Sequence, residues 1–379
     1  MKIGIVCYPT FGGSGVVATE LGMALADKGH EVHFITYNQP VRLDFISHHL
    51  HFHQVLLEEY PLFEYQPYEL ALSSKMVEVV EKHQLEVLHV HYAIPHAYAA
   101  FMAKQMLKEK GISVKVVTTL HGTDITLVGS HPTYKTAVEF SINNSDVVTA
   151  VSNDLKTTTN RLFNINKDIK VIYNFIDVDK YDNAHQQKCE RSAIAKPNER
   201  ILTHISNFRP VKRVEDVIKV FYEVNKEIPS KLLLIGEGPD RLKAENLVNK
   251  LNISEDVLFL GNSSEVTKVL CYTDVFLLPS QTESFGLAAL EAMAAKSAVI
   301  STNTGGLPEV NIHGETGFLS NLGDVNDMAK NAISILKDDV ILETFKTNAR
   351  NHTKRFSLEN ILPVYEEIYK SCYNTKVKS

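Results

Sequence analysis

Residues 275–309 read VFLLPSQTESFGLAALEAMAAKSAVISTNTGGLPE, and their pattern indicates the class of fold. It opens with a continuous apolar run, Val275–Leu278, passes through an alanine-rich helical segment, Leu287–Lys296, and reaches a second apolar run, Ala298–Ser301. Strands that are covered on both faces of a parallel sheet give continuous apolar runs rather than an alternation of apolar and polar residues. The stretch therefore predicts a β-α-β unit, the repeating element of a doubly wound α/β sheet.

The same alternation of strands and helices extends in both directions from this unit. The other predicted strands are Lys2–Tyr8, Glu31–Tyr37, His53–Leu57, Val87–His91, Lys115–Leu120, Val147–Val151, Ile169–Ile172, Ile201–Ser206, Lys231–Ile235, Val257–Leu260 and Gly317–Leu319. The other predicted helices are Gly15–Lys28, Leu70–His83, Tyr98–Lys110, Val214–Glu227, Asp240–Leu251, Val325–Leu336 and Leu358–Tyr373. The alternation stops at the polar residues 177–200, which we interpret as a linker between domains at 1–176 and 201–355. Residues 356–379 are expected to form a C-terminal helix that packs back on the N-terminal domain.

The length of 379 residues predicts two domains, possibly three, and the composition is that of a folded protein. Of the 379 residues, 44% are hydrophobic and 22% are charged, which excludes a disordered, collagen-like or coiled-coil chain. The formal net charge of −6 argues against nucleic-acid binding, which needs a basic face. No apolar run reaches the roughly 18 residues of a membrane span. The four cysteines are far apart and form no C-x-x-C pair, so we expect reduced thiols and a cytoplasmic protein.

A glycine turn, Gly12-Gly13-Ser14-Gly15, follows the first predicted strand and begins the first predicted helix. The unpaired N–H groups at a helix N-terminus favour an anion. The turn also fits the G-x-G-x-x-A pattern of dinucleotide-binding proteins, but the second strand ends in Thr36-Tyr37-Asn38, without the acid that would bind the ribose. We therefore disfavour a nicotinamide cofactor, and a tight turn without a ligand is the alternative.

Histidines follow two later strands. His121 begins the motif His121-Gly122-Thr123-Asp124 at the carboxyl end of a predicted strand, where it could donate to a sugar hydroxyl or to a developing charge. Asp124 could cap the next segment. A buried histidine with satisfied hydrogen bonds is the alternative for His121. His89 and His91 alternate as a zinc pair would, but no carboxylate follows them, so we disfavour a metal there.

Two clusters in the second half of the chain suit a nucleotide. The turn SNFRPVKR, residues 206–213, places three cations between a strand and a helix, where they could neutralise a diphosphate; a solvated turn is the alternative. Glu283 and Glu291 are the ends of an E-x7-E pattern, and Glu291 lies among Leu, Ala and Met, where a carboxylate needs a partner such as a ribose diol. The pairs Gly236/Gly238 and Gly305/Gly306 follow strands, which indicates a close approach of the backbone to another group.

The chain resembles retaining glycosyltransferase family 4 over nearly its whole length, because it has the motifs of that family in the same order. The motifs are GGSG, HGTD, the cationic turn, ESFGLAALEAMA and GGLPE. The resemblance implies the GT-B fold, in which two Rossmann-like doubly wound domains face a central cleft. It assigns the acceptor to the N-terminal domain and the nucleotide sugar to the C-terminal domain. The wider family usually has an arginine where alignment on Lys212 places Asn207, so Arg209, or Lys212 alone, would have to supply that charge.

The resemblance also implies a role for each candidate residue. For the donor, UDP-N-acetylglucosamine, Arg209 and Lys212 would neutralise the diphosphate, and Glu291 would accept from the ribose. Glu283 would hold the sugar, and His121, Lys212 and Glu283 would be the catalytic residues. The other donor-binding candidates are Gly13, Asn207, Gly261, Asn262, Ser284, Phe285, Gly286 and Leu287. For the acceptor, L-malate, the candidates are Ser14, Gly15, Tyr92, Thr119 and Asn153.

The reaction that the resemblance implies is transfer of N-acetylglucosamine, with retention, to the hydroxyl of L-malate, the first step of bacillithiol biosynthesis. It favours front-side attack over a carboxylate nucleophile. No metal or other cofactor is expected, because the D-x-D sequence Asp177-Val178-Asp179 lies in the linker. The alternatives are another sugar donor, a lipid or glycan acceptor, a nucleotide-sugar epimerase and a non-catalytic nucleotide-sugar sensor. Membrane contact is disfavoured, and a homo-oligomer is left open.

Overall fold

The computed structural model describes residues 1–10, 12–43, 48–57, 64–181, 191–263 and 266–374. They form two compact units, one made of Met1–Asn174 with the C-terminal stretch from Glu359, the other of Phe175–Leu358. Within these described residues, no helix combines the length and the apolar character needed to cross a bilayer.

The first unit is built on a parallel sheet with the strand order β3-β2-β1-β4-β5-β6-β7. Its strands are β1 (Lys2–Val6), β2 (Glu31–Thr36), β3 (Leu50–Gln54), β4 (Val87–His91), β5 (Lys115–Leu120), β6 (Val147–Ala150) and β7 (Ile169–Val171). Its helices before the second unit are α1 (Gly13–Asp27), α2 (Tyr68–His83), α3 (Tyr98–Glu109), α4 (Pro132–Asn144) and α5 (Asn153–Leu162), with π-helical turns at Ala93–Ala97 and Thr123–Leu127.

The second unit is built on a parallel sheet with the order β10-β9-β8-β11-β12-β13. Its strands are β8 (Arg200–Ile205), β9 (Ser230–Ile235), β10 (Val257–Gly261), β11 (Val275–Leu278), β12 (Ala298–Thr302) and β13 (Gly317–Ser320). Its helices are α6 (Val214–Glu227), α7 (Arg241–Lys250), α8 (Val266–Leu270), α9 (Leu287–Ala294), α10 (Leu307–Val310), α11 (Val325–Leu336) and α12 (Asp339–Thr353), with 3-10 turns at Arg191–Ala193, Pro210–Lys212 and Lys354–Phe356.

Both sheets are covered on their two faces, as the continuous apolar runs predict. Every residue of β4, β11 and β12 is buried. The last helix, α13 (Leu358–Asn374), belongs to the first unit from Glu359 onward. On it, Tyr369 bonds through its hydroxyl to Nδ1 of His89 at 2.8 Å, and Glu366 accepts from Nε2 of His30 at 2.9 Å. Helix α13 therefore covers the sheet with which the chain begins.

Several elements differ from the sequence-based expectation. Strand β3 begins at Leu50 and not at His53, because this edge strand carries alternating histidines and the apolar residues 55–57 follow its end. Helices α4, α5, α8, α10 and α12 have no counterpart in the prediction. Helix α5 is rich in threonine, which has a low intrinsic helix propensity, and it is capped by Ser152, whose Oγ accepts from the N–H of Leu155 at 3.0 Å.

The expectation that all cysteines are reduced is wrong for Cys271, which is disulfide-bonded. Cys7 and Cys372 are buried and carry free thiols, and Cys189 lies outside the described residues. Pairing depends on the spatial separation of the Cα atoms, which spacing along the chain does not reveal.

The strand order identifies the loops where a ligand is expected. In the first sheet the order reverses between β1 and β4, and in the second between β8 and β11. Open parallel sheets bind ligands beyond the carboxyl ends of the strands at such switch points. In the first unit these are the loops that begin at Cys7 and Tyr92, and in the second they begin at Ser206 and Pro279. The candidate residues for acceptor and donor fall largely in these loops.

Candidate active site

In the second unit, the loops after β8 and β11 are joined by a charged pair. Nζ of Lys212 donates to Oε1 of Glu283 at 2.5 Å, and Oγ of Ser280 donates to the same oxygen at 2.9 Å. The side chains of Lys212 and Glu283 are 22% and 14% exposed. Sequence reasoning selected both residues separately, and the structure brings them into contact at the switch point. A cation held there by a partly shielded acid is placed to receive an anionic ligand.

Two glycines after β12 fix the position of this acid. Gly305 has φ +59°, and a Cβ added to it would lie 2.0 Å from the carbonyl oxygen of Glu283. A Cβ on Gly306 would lie 2.4 Å from the carbonyl oxygen of Ser284. The N–H of Gly306 donates to the carbonyl of Glu283 at 2.8 Å. The close approach that the GGLPE motif predicts is therefore made to the Glu283 loop.

The three cations of the cationic turn have different surroundings. Arg213 adopts φ +52° ahead of α6 and donates through Nε to Oδ2 of Asp216 at 2.6 Å, so it stabilises the first turn of the helix. Asn207 and Arg209 are exposed on either side of Phe208, which is buried in the core of the unit. Lys212 faces the acid, and Arg209 is open to solvent.

In the first unit, the loops after β1 and β4 are joined through hydroxyls. Oγ of Ser14, at the start of α1, lies 2.6 Å from the hydroxyl of Tyr92, which follows β4 with φ +90°. A Cβ on Gly15 would lie 2.5 Å from the carbonyl of Thr10 and 2.6 Å from that of Tyr8, so only glycine allows α1 to begin this close to β1. Ser14 and Tyr92, two of the acceptor candidates, thus lie together at the N-terminus of a fifteen-residue helix.

His121 follows β5 in the same unit and is partly exposed. Its Nε2 lies 2.8 Å from Nδ1 of His91, which is completely buried. Burial, and then the neighbouring His96, lowers the pKa of His121 to about 3. His121 is therefore neutral at physiological pH, and it can donate a hydrogen bond but holds no positive charge.

Asp124 joins the loops after β4 and β5 from a buried position. Its Oδ2 accepts from the N–H of Ala93 at 2.7 Å, and its Oδ1 accepts from the N–H of Gly122 at 3.0 Å and of His121 at 3.3 Å. Burial raises the pKa of Asp124 to about 6, although the hydrogen bonds from these backbone N–H groups act to lower it. Both oxygens are occupied by the backbone, so Asp124 positions His121 and is not available as a nucleophile.

Two family models match this chain. Residues 11–180 match the family model for Glycosyltransferase Family 4, and residues 186–352 match that for Glycosyl transferases group 1. The N-acetyl-alpha-D-glucosaminyl L-malate synthase of Bacillus anthracis is 48% identical to this chain over 370 residues, which cover 97% of this chain and 96% of that protein. The chain belongs to glycosyltransferase family 4. An uncharacterized glycosyltransferase of Methanocaldococcus jannaschii is 26% identical over 96% of this chain and 97% of its own length.

Solved structures show the same fold for this family 4 glycosyltransferase. HepE of Anabaena, solved with UDP and glucose, has a TM-score of 0.81 at 19% identity and covers 98% of this chain and 100% of its own. Sucrose-phosphate synthase from Thermosynechococcus elongatus has a TM-score of 0.79 at 22% identity, covering 99% and 100%. The two Rossmann-like sheets are those of a GT-B glycosyltransferase, as the resemblance implies.

Among the other donor candidates, Ser284 and Phe285 adjoin Gly306, which follows β12. Gly261 is the last residue of β10, and Asn262 follows it. Phe285 is buried against Phe356, with ring centroids 5.6 Å apart. Ser284 is partly buried, and Gly286 is buried with φ +98°. Leu287 and Glu291 are both partly buried on α9. Asn262 is exposed after β10, and Gly13 is exposed at the start of α1.

Two acceptor candidates differ in their accessibility. Thr119 is completely buried, and its Oγ1 bonds to Nε2 of His89 at 2.8 Å and to Oγ1 of Thr149 at 2.7 Å. Its side chain belongs to the sheet interior, so the expectation that it contacts an acceptor is not supported by its position. Asn153 is exposed at the start of α5 and donates to the hydroxyl of Tyr173 at 2.8 Å.

The zinc pair that the sequence disfavours, His89 and His91, does not form a ligand set. Both ring nitrogens of His89 are hydrogen-bonded, to Thr119 and to Tyr369, and Nδ1 of His91 pairs with His121. The supporting roles of His91 and Ser280 were missed. The sequence offers a signal for both, since His91 is the last residue of a strand and precedes Tyr92, and Ser280 follows a strand three positions before Glu283.

Proposed function

We propose that this glycosyltransferase moves N-acetylglucosamine from UDP-N-acetylglucosamine to the hydroxyl of L-malate, with retention of the anomeric configuration, as the first step of bacillithiol biosynthesis. The observation that carries the proposal is the 48% identity, over nearly the full length of both chains, to the Bacillus anthracis synthase whose name specifies this product. A cytoplasmic location and a homo-oligomer stay predictions from the sequence.

The donor belongs to the second unit in this proposal. Lys212, held at the carboxyl end of the sheet by Glu283, would exchange part of that contact for the leaving diphosphate, and the exposed Arg209 would add a second charge in place of the family arginine. Glu291 would accept from the ribose hydroxyls. Glu283 would then be free to bind a sugar hydroxyl while Ser280 keeps its carboxylate in place.

The acceptor belongs to the first unit. L-malate is a dianion, so it needs hydrogen-bond donors and positive potential, and the N-terminus of α1 offers both. Ser14 and Tyr92 are the hydroxyl donors at that position, with 2.6 Å between their oxygens. Neutral His121 would donate to the transferred sugar.

The reaction proposed is a front-side displacement at the anomeric carbon. The bond from that carbon to the diphosphate oxygen breaks, the bond to the malate hydroxyl oxygen forms on the same face, and the hydroxyl proton passes to the leaving diphosphate. The surroundings of the two carboxylates support this route over double displacement. Asp124 is held by backbone N–H groups, and Glu283 is held by Lys212 and Ser280.

Charge on the leaving diphosphate would be stabilised by Lys212 and Arg209, so we propose that transfer needs no metal. Turnover should be unaffected by EDTA. Activity that disappears in EDTA and returns with Mg²⁺ would contradict this part of the proposal.

One product assay tests the proposal. UDP-N-acetylglucosamine is offered with L-malate, with other hydroxy acids and with water in parallel, and the products are identified by mass spectrometry, with the anomeric configuration read from NMR coupling constants. We expect an α-linked adduct with L-malate. Transfer only to another acceptor would replace the substrate assignment, an altered sugar without acceptor would indicate an epimerase, and UDP binding without any turnover would indicate a sensor.

A further inference from the structure

A group of histidines lies on one face of the first sheet, at its β3 edge. His33 on β2 is the register partner of His51 on β3, and His53 follows two positions later on the same face. His83, the last residue of α2, lies over them, with its ring centroid 4.5 Å from that of His33 and 5.1 Å from that of His53. Glu31, two positions before His33 on β2, completes the group.

Three nitrogens of this group converge on one point. Nδ1 of His33 lies 2.9 Å from Nε2 of His53, and one ligand atom from each of His33, His53 and His83 lies within 4.8 Å of the others. Tetrahedral Zn²⁺ with Zn–N bonds of about 2.0–2.1 Å holds its ligand nitrogens roughly 3.3 Å apart. Small side-chain rotations would therefore bring the three nitrogens to an ion.

Glu31 selects the nitrogen that His33 can offer. Its Oε1 lies 3.2 Å from Nε2 of His33. Its other carboxylate oxygen, Oε2, forms an ion pair with Nζ of Lys2 at 3.5 Å, so Glu31 accepts from His33 as a carboxylate. Nε2 of His33 then carries the hydrogen, and Nδ1 has its lone pair free on the side of Nε2 of His53, 2.9 Å away. This is the carboxylate–histidine arrangement that orients metal ligands.

The group shows two further properties of a site ready for an ion. Nε2 of His83 is buried with no hydrogen-bond partner, while the ring itself is partly exposed, as is that of His53. The partly exposed rings of His53 and His83 also leave the group open to an ion from solvent.

We propose that His33, His53 and His83 bind one divalent transition-metal ion of the zinc type, with Glu31 as the positioning residue and the fourth coordination position open. Imidazole nitrogens suit zinc, nickel and copper, whereas Mg²⁺ and Ca²⁺ prefer oxygen ligands. The ion would join the edge strand β3 and the end of α2 to β2. His33 lies in the amino-terminal half of β2, away from the carboxyl ends where the acceptor candidates lie, so the site is independent of the proposed transfer reaction.

The test is Zn²⁺ binding to the full chain after removal of metal, measured by competition with a chromogenic chelator, with Co²⁺ absorption as a report on coordination geometry. We expect one ion per chain and a visible Co²⁺ band of tetrahedral intensity. The double variant His53→Ala/His83→Ala should weaken binding by at least about 100-fold, and Glu31→Gln by about 10- to 100-fold. His33 is left intact, because it is completely buried.

The control is His313→Ala, which removes an exposed histidine of the second unit and should leave Zn²⁺ affinity unchanged. Circular dichroism establishes that each variant is folded. Absence of Zn²⁺ binding to the wild type would overturn the proposal, as would undiminished binding to the folded double variant. Binding that is lost only in His51→Ala would assign the ion instead to the neighbouring set of Glu31, His33 and His51.

Discussion

Replacing Lys212 with alanine should lower kcat by more than about 100-fold while the second unit stays folded. In the proposed reaction Nζ of Lys212 exchanges part of its 2.5 Å contact with Glu283 for the departing diphosphate and stabilises the charge that develops there. Deleting a single donor to a developing oxyanion costs about 2.7–4 kcal/mol, or about 100- to 1,000-fold in kcat. With 22% and 14% exposure, the Lys212 and Glu283 side chains are partly shielded from solvent screening, which favours an effect of this size.

The cost to stability should be smaller. The variant leaves Glu283 with its hydrogen bond from Ser280, so we expect a loss of about 1 kcal/mol, which for a unit of this size lowers Tm by about 2–4 °C. The matched control is Lys219→Ala, which removes a lysine that pairs with Asp216 at 3.2 Å on the exposed side of α6. Steady-state kinetics with saturating UDP-N-acetylglucosamine and L-malate measure kcat. A Lys212→Ala variant as active as the Lys219→Ala control would refute the assignment.

Three further predictions concern the supports of the site. Gly305→Ala should abolish most of the activity and destabilise the second unit by about 2 kcal/mol or more in urea unfolding, because its Cβ would meet the Glu283 carbonyl at 2.0 Å. Gly314→Ala, at φ +78° with no atom within 4 Å, is the control for backbone strain alone. Asp124→Asn should lower the free energy of unfolding by about 1–3 kcal/mol in urea unfolding. The reason is that the new NH2 group would face a backbone donor such as the N–H of Ala93. Unchanged stability would contradict the hydrogen-bond assignment. Stability should also fall as pH drops from about 6.5 towards 4, because burial lowers the pKa of His89 to about 3 and the unfolded chain takes up the proton first, at up to about 1.4 kcal/mol per pH unit. Asp124, with a pKa near 6, acts in the opposite direction and offsets one such histidine. Burial also lowers the pKa of His121 to about 3 and of His96 and His204 to about 4, so stability should still fall on balance, and a profile that is flat or rises towards pH 4 would count against neutral buried histidines.

Local patterns in the sequence were sufficient for most of the fold. Strand β4, Val87–His91, and helix α6, Val214–Glu227, have the bounds that periodicity predicts. Both can be predicted from neighbouring residues alone, β4 from a continuous apolar run and α6 from apolar residues at helical spacing. Strand β3 departs from this, since its histidines gain their partners from β2 and α2 and not from their own segment.

The candidate residues could be selected one by one, but their partners could not. Lys212 and Glu283 are 71 positions apart, and no spacing rule links them. Their contact depends on the strand order, which places β11 beside β8. Thr119 shows the opposite case. Its position near the end of a strand suggests a ligand contact, but its side chain is buried and hydrogen-bonds to His89.

Local periodicity and motifs of a few residues predict two doubly wound α/β units, show which glycines and charged residues follow the strands, and carry the resemblance to the glycosyltransferases. Three contacts are visible only in the folded chain. Glu283 pairs with Lys212, Asp124 is held by three backbone N–H groups, and three distant histidines converge at the β3 edge. Such contacts arise because parallel strands bring together residues that are far apart along the chain, and the order of those strands is a property of the whole packed sheet.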